Sequence, residues 1–184
     1  VSVAIPREAC PLNLAPTAST TAMLAMGDAL AMSLSGSRGF RAEDFALLHP
    51  SGSLGRRFLK VRDLMRTGDR VPRVEAAAPM TEAIHEMSRK MMGVTAVVES
   101  DGRLRGVISD GDLRRLLEKD AAQLHKTAGD CCRPNPRTVA AEEFASGALE
   151  TMRAHRITSL FVLGADGRLE GALHMHDLLA AGIP

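Results

Sequence analysis

Trp and Tyr are both missing from this chain, which excludes base stacking on those rings and makes a reader of single-stranded nucleic acid a poor expectation. Cysteine is scarce: Cys10, Cys131 and Cys132 are the only three. An odd count with an adjacent pair resembles neither a disulfide framework nor a zinc site, so reduced thiols in a cytoplasmic protein are expected, with no metal. Long apolar runs are lacking too. None approaches the roughly 18 residues of a membrane span, and no charged leader with a cleavage site is present, so neither a signal peptide nor a spanning helix is expected. Excess charge is likewise absent: the formal net charge is +1, which gives no case for a general polyanion binder such as nucleic acid but leaves room for a local basic pocket. An initiating Met is also missing, since the chain opens on Val1 inside an apolar run, and this reads as a piece of a longer protein.

What is present is ordinary globular material, 184 residues with 45% hydrophobic and 24% charged, enough for one or two small domains with a real core. The chain is organised around a phrase written twice. Asp101-Gly102-Arg103-Leu104-Arg105-Gly106-Val107-Ile108-Ser109-Asp110-Gly111-Asp112-Leu113 returns as Asp166-Gly167-Arg168-Leu169-Glu170-Gly171-Ala172-Leu173-His174-Met175-His176-Asp177-Leu178. Asp101 recurs as Asp166, Gly106 as Gly171 and Asp112 as Asp177, each 65 positions on. Asp-Gly between apolar runs signals a hairpin, because Gly supplies the positive φ that the tight turn needs. Each copy then reads as a turn, a short strand and a helix opening on a polar residue. Two units too small to bury a core alone should pack on one another. The cleft between their helix openings is where a ligand is expected.

Ahead of the copies, Val1 to Ile5 reads as a short strand ended by Pro6. Thr17 or Ser19 to about Leu34 reads as a helix closed by the Gly36–Gly39 region and apolar nearly all round (Ala22, Met23, Leu24, Ala25, Met26), made to be buried on several sides. It belongs to a domain whose body lies elsewhere or pairs with another subunit, which points to a homodimer or higher oligomer. A second helix, Ala42 to Leu48, should stop at His49-Pro50, since the residue before Pro is pushed out of the α region. Ser51 to Arg57 is a small, basic turn, either phosphate-tolerant or a linker.

Copy one is expected to run through a turn at Val61 to Met65, a strand entry at Val71 to Val74 and a helix from Met80 to Met92 with Pro79 at its first turn. Strands Val94 to Glu99 and Leu104 to Ser109 follow, then a helix from Asp110 to Leu117. Copy two follows with Asp130-Cys131-Cys132, an entry near Thr138, a helix from Ala141 to Ala154, strands Ile157 to Leu163 and Leu169 to Leu173, and a helix from Met175 to Ala181. Glu118 to Thr127 reads as a linker. Met87 to Thr95 spans eight positions and Met152 to Thr158 six, which suggests that the first helix of copy one runs on by two residues.

This doubled β-α-β-β-α unit, with a G-h-h-S/T-x-x-D signature at its last strand–helix junction, resembles a tandem cystathionine-β-synthase (CBS) domain pair, an α/β (α+β) fold whose repeats are related by pseudo-twofold symmetry. Gly106 to Asp112 fits the signature in full, and Gly171 to Asp177 fits with His174 in place of Ser or Thr. The leading segment, with Cys10-Pro11-Leu12-Asn13-Leu14-Ala15-Pro16-Thr17, Ser19-Thr20-Thr21, Ala25-Met26-Gly27-Asp28-Ala29-Leu30, Asp44-Phe45-Ala46 and His49-Pro50, resembles the tail of a sugar isomerase (SIS) domain. More closely it is similar to the arabinose-5-phosphate isomerases, whose SIS domain is followed by a CBS pair. It departs from them at Ala18, where Ser is expected, and at Ser51, where Gly is expected. The resemblance implies an SIS stub at 1–58, one CBS domain at 59–120 and a second at 124–184. It also implies an enzyme interconverting ribulose 5-phosphate and arabinose 5-phosphate, at the entry to Kdo synthesis for lipopolysaccharide, with His49 as the active-site histidine. Most of the SIS active site is not in this chain, so the chain alone is expected to be inactive. Its expected role is regulatory, through a nucleotide or nucleotide sugar; CMP-Kdo is the most economical candidate and adenine nucleotides come second, against a ligand-free module that sets assembly. No cofactor is required.

Each candidate residue carries two readings. Ser109 and Asp112 form a capping box that needs no ligand, or a helix opening suited to a phosphate, with the Asp accepting from ribose hydroxyls. Asp177 repeats that Asp in copy two. His174 and His176 are solvated or capping imidazoles, or His174 selects a different ligand and reports pH. Arg153, His155 and Arg156 cap a helix end, or clamp a phosphate or carboxylate. Thr95, Thr158 and Ser159 open inner strands, where their hydroxyls face the cleft or simply stiffen the strand.

Overall fold

The doubled phrase folds the same way twice. In the computed structural model, which describes residues 2–41, 44–45, 48 and 53–183, the chain divides into two units, 1–49 and 50–184. In the first unit, helix α1 (Ala18–Ser37) is started by a remote carboxylate rather than by its own cap. Glu8 accepts from the Thr17 N–H at 2.8 Å, the Thr17 hydroxyl at 3.1 Å and the Ser19 N–H at 3.2 Å. Hydrogen bonds from Ser19 and Thr17 hold the Glu8 carboxyl down at about 2. None of the α1 residues is buried, and Met23, Leu24, Leu30, Met32 and Leu34 stand exposed, so the expected covering of this helix is not met within its own unit. No strand forms over residues 2–5. The helix expected at Ala42 to Leu48 falls mostly outside the described residues, as do His49, Pro50 and the start of the basic turn.

The second unit begins with helices α2 (Ser53–Arg57) and α3 (Val61–Leu64) and a 3₁₀ turn (Gly68–Arg70). Copy one then gives β1 (Arg73–Glu75), α4 (Met80–Lys90), β2 (Val94–Val98), β3 (Leu104–Ser109) and α5 (Asp110–Lys119). A 3₁₀ turn (Ala121–His125), helix α6 (Ala128–Cys131) and strand β4 (Arg133–Pro134) lie where a plain linker and turn were expected. Copy two gives β5 (Thr138–Ala140), α7 (Ala145–His155), β6 (Ser159–Leu163), β7 (Leu169–His174) and α8 (Met175–Ala180). The sheets run β1-β2-β3-β4 and β5-β6-β7. In each, the entry strand is parallel to the next and the hairpin is antiparallel, with a register shift at Val97/Val98 in one and Val162/Leu163 in the other. Gly102 and Gly167 take the positive φ that both hairpin turns demand.

The pseudo-twofold axis is visible in reciprocal bonds. The Leu104 N–H donates to the Gly167 carbonyl at 3.3 Å, the Leu169 N–H donates to the Gly102 carbonyl at 3.1 Å, and Arg103 bridges Arg168 between them. Both first helices end on a left-handed residue, Met91 and Arg156, 65 positions apart and each at φ 53°. The helices are therefore equal in length, at 11 residues each, and the expected two-residue extension of the first is corrected. The slack lies earlier: Arg66 bridges Ala172 just as Arg133 pairs Val107, so copy one spends two more residues before its entry strand, in the Gly68–Arg70 turn.

Each copy's lead-in docks on the other copy. The Val61 N–H donates to the Glu143 carbonyl at 2.9 Å and the Ala145 N–H to the Leu59 carbonyl at 2.8 Å. Lys60 and Arg62 both pair with Glu142. In exchange, the Ala128 N–H donates to the Ala78 carbonyl at 2.8 Å, and β4 joins the sheet of copy one. Three cores follow from this exchange. One holds Val61 among Leu149, Met152, Leu160, Leu173 and Leu178 of copy two. A second holds Ala128 among Met80, Met87, Val97 and Ile108 of copy one. The third joins the inner sheet faces, with Val71, Met92, Ala96 and Val98 against Phe161 and Ala172.

Candidate functional site

The two helix openings share a sequence pattern but not a chemistry. In copy one the Ser109 Oγ accepts from the Asp112 N–H at 3.2 Å, while Asp112 Oδ2 accepts from the Ser109 N–H at 3.1 Å and hydroxyl at 2.6 Å. The Arg115 guanidinium donates to the other oxygen, Oδ1, at 2.6 Å. Burial pushes the Asp112 carboxyl up, but the Ser109 hydroxyl and Arg115 outweigh it, and the group sits below its usual range. Both carboxylate oxygens are thus engaged locally, as the capping-box reading describes.

In copy two His174 stands at the cap, and its ring Nδ1 accepts from the His176 N–H at 3.2 Å. The two rings meet edge to face with centroids 4.8 Å apart. Burial and the neighbouring His176 hold the His174 imidazole below its ordinary pKa. Because this cap reaches only the second residue of the helix, Asp177 is released from a capping role. It takes Arg66 instead, through Nε to Oδ2 at 2.9 Å and Nη2 to Oδ1 at 3.2 Å. Arg66 Nη1 also donates to the Lys90 carbonyl at 3.2 Å. One guanidinium therefore ties the lead-in of copy one, the end of α4 and the last helix of copy two. Around it lies a cavity of about 370 Å³ lined by Arg66, Asp69, Arg70, Arg89, Lys90 and Asp177, within the size range of small-ligand sites.

The other expected residues scatter. Asp177 lines this cavity, whereas Ser109 and Asp112 are not among its lining. Ser159 crosses between copies, its hydroxyl donating to the Met92 carbonyl at 3.4 Å. Thr158 is exposed, and its carbonyl accepts from the Met175 N–H at 2.8 Å. Arg156 and His176 are exposed, Arg156 as the left-handed residue that closes α7. Thr95 does not face the cleft. Strand alternation puts it on the side of Val97, and its counterpart 65 positions on is Leu160, a core residue of copy two. Thr95 rather than Thr158 therefore matches Leu160, and Thr158 matches Gly93. The Thr95 hydroxyl is fully buried and has no hydrogen-bond partner among the described residues. Thr95→Val, which keeps the shape and removes that hydroxyl, should raise stability by about 1 kcal/mol. A urea denaturation midpoint measures this, and a fall would mean that the hydroxyl has a partner.

Sequence reasoning missed Arg66, Asp69, Arg70, Arg89 and Lys90. The signal was available in the two-residue slip between the copies, which marks the Gly68–Arg70 turn as the place where their symmetry breaks. Among the described residues, no group of three or more His, Cys, Asp or Glu is placed to hold a metal, and no helix is long and apolar enough to cross a membrane.

The CBS domain family matches residues 61–119 and 128–183. Along its whole length the chain is similar to arabinose 5-phosphate isomerase KdsD of Pseudomonas aeruginosa, 47% identical over 184 residues, all of this chain and 56% of that protein. The Escherichia coli K12 relative of the same name is 46% identical over 182 residues, 98% of this chain and 55% of that protein. The chain thus spans about half the length of the curated relatives it matches. Among solved structures, CBSX2, a CBS-pair protein from Arabidopsis thaliana, has in its complex with AMP a TM-score of 0.58 to this fold at 24% identity, covering 67% of this chain and 95% of its own. At that identity the likeness is one of fold. Two symmetric copies with exchanged lead-ins, each matched over nearly its full extent, make the assignment plain: the chain belongs to the CBS domain family, as a tandem CBS pair.

Proposed function

We propose that this chain is the regulatory part of an arabinose-5-phosphate isomerase, in which the CBS pair senses a nucleotide or nucleotide sugar and alters the attached enzyme. The observation that carries the reading is where the likeness extends. Relatives match from the first residue of the chain at 47% identity, while the CBS family begins only at residue 61. The leading residues 1–58 are on this reading the end of an SIS domain, followed by CBS domains at 59–120 and 124–184, in a cytoplasmic homo-oligomer. The parent enzyme interconverts ribulose 5-phosphate and arabinose 5-phosphate, with His49 in its active site. The fragment alone turns over neither sugar.

CMP-Kdo is the favoured ligand. It offers phosphate and carboxylate groups to the cationic lining and ribose hydroxyls to a carboxylate such as Asp177. AMP, which accompanies a neighbouring fold in CBSX2, is the second candidate. Thermal-shift titration tests the reading, because a ligand that binds only the folded state stabilises it by about 2.7 kcal/mol at a hundredfold excess over Kd. A rise with CMP-Kdo, CMP, AMP or ATP supports sensing. If all four leave the midpoint unmoved at millimolar concentration, sensing fails. A module that serves assembly alone then gains, a reading favoured by the exposed apolar face of α1.

A further inference from the structure

The segment that leaves the leading unit is seated on copy two before copy one begins. Helix α8 has no basic residue in its last turn, although the last carbonyls of a helix favour a cation. It closes on Gly182 at φ 71°, whose N–H donates to the Leu179 carbonyl at 3.0 Å, while the Ile183 N–H donates to the Leu178 carbonyl at 3.1 Å. Ile183 is then buried in the core of copy two. The missing cation comes from α2. The Arg56 guanidinium lies against Gly182, so that a Cβ there would collide with Nη1 and stand 3.2 Å from both Cδ and Cζ. Two further contacts fix the same segment. The Phe58 ring meets the Phe144 ring edge to face with centroids 6.3 Å apart, and the Leu59 carbonyl accepts from the Ala145 N–H at 2.8 Å. In copy one the equivalent of that last bond runs from the Met80 N–H to the Lys126 carbonyl at 3.1 Å. By this register copy one has Leu117 for Gly182, Gln123 for Arg56, and Pro79 with His125 for the two phenylalanines, so the arginine, the glycine and the aromatic pair belong to the linking segment alone.

We propose that α8 is a lever joining the Arg66–Asp177 tie in its opening turn to the linking segment at its end, with Arg56 as the bearing that passes its displacement toward the leading unit. Coupling between distant places needs an element whose arrangement both of them bias, and α8 touches both. The helix has only six residues, a rod of about 9 Å, so its two ends move as one body. Leu178, fully buried near its middle, is the pivot. In the opening turn Asp177 takes Arg66 at 2.9 and 3.2 Å, and any change in that tie turns the rod. At the far end the exposed Arg56 rests on the Gly182 turn and follows it. The lever deepens the regulatory reading, since it leads out of the CBS pair, and rests on that reading only for what moves Asp177.

Amide hydrogen exchange of the whole chain, followed by NMR without ligand, tests the lever. The Phe58 and Leu59 N–H groups donate to the Gly55 and Arg56 carbonyls at 3.1 and 3.3 Å and report on the linking segment. Asp177→Asn, which keeps the shape and weakens the Arg66 tie, should speed their exchange by at least about fivefold, the lower end of coupling between sites. With Arg56→Ala already in place, the same change should add less than about twofold, because the bearing is gone. Coupling is reciprocal, so Arg56→Ala alone should speed exchange at the His176 N–H, which donates to His174 Nδ1 at the helix opening. Ser109→Ala removes the cap of copy one and controls for a general loss of stability; it should leave the linking amides unchanged. The proposal is overturned by linking amides that ignore Asp177→Asn, by an undiminished effect in the Arg56→Ala background, by an unmoved His176 amide, or by an equal effect from Ser109→Ala. Nucleotides that leave the melting midpoint unmoved sink sensing and leave the lever standing. Linking amides that ignore Asp177 sink the lever whatever the chain binds.

Discussion

Gly171→Ala should destabilise the CBS pair by about 2 to 3 kcal/mol, the upper range for forcing extra atoms into a packed interior. A Cβ at Gly171 would stand 2.7 Å from the Met65 Sδ and 2.9 Å from the Arg66 carbonyl oxygen. Met65 can rotate away, but Arg66 cannot retreat without breaking its backbone pair with Ala172, whose two bonds measure 2.7 and 3.0 Å. Gly106 in copy one faces the same constraint, since a Cβ there would stand 2.6 Å from the Arg133 carbonyl oxygen and 2.8 Å from the Cys132 Sγ. The glycine that opens the repeated signature thus serves the crossing strand of the opposite copy. Since the lead-in behind Gly171 delivers Arg66 to Asp177, the substitution should also weaken binding at the cavity. Urea unfolding measures the first effect. A loss below about 0.5 kcal/mol, the scatter of ordinary surface changes, would show that the lead-in yields freely.

Leu149→Ala should remove about 3 kcal/mol, within the range for a buried leucine cut back to alanine. Leu149 is fully buried and shares its core with Leu173, Leu178 and Val61. For a chain of this size that loss lowers the thermal midpoint by roughly 6 to 12 °C. Val61 comes from the lead-in of copy one, so the two copies should lose structure together rather than one after the other. Val61→Ala tests the same coupling from the other copy and should act on the same transition, with a smaller loss of about 2 kcal/mol. Two separate transitions, with Leu149→Ala moving only one of them, would contradict the exchange of lead-ins.

Both effects bear on sensing. A ligand acts on an attached domain only through an element whose arrangement it biases. Here the lead-in of copy one carries Arg66, and Arg66 bonds at once to copy two and to α4. A ligand that takes Arg66 pulls on that connection directly.

Much of the fold is legible in the sequence because it is written locally. The Asp-Gly turns, the short apolar strands beside them and the Ser-x-x-Asp cap depend on residues a few positions apart, and strand β3 runs from Leu104 to Ser109 as expected. The site is less legible. Ser109 and His174 occupy equivalent positions, yet one cap binds its third residue and the other its second, and Asp177 takes Arg66 as its partner. Thr95 misleads because aligning it with Thr158 matches residue type, while the helices keep the 65-residue register that matches it with Leu160. Glu8, which caps α1 from about ten residues upstream, lies beyond any local rule.

By itself the amino-acid sequence determined a doubled β-α-β-β-α unit, the hairpin turns and the starts of α4, α5 and α8, since hydrogen-bond geometry and side-chain periodicity act over a few residues. Helix α7, by contrast, begins at Ala145 rather than at the expected Ala141. Only the tertiary structure decided which copy receives each lead-in and that Arg66 meets Asp177 across 111 residues. Those outcomes depend on where distant segments close their backbone ladders and bury their apolar faces, and a slip of two residues at Gly68–Arg70 is enough to make two nearly identical halves chemically unlike.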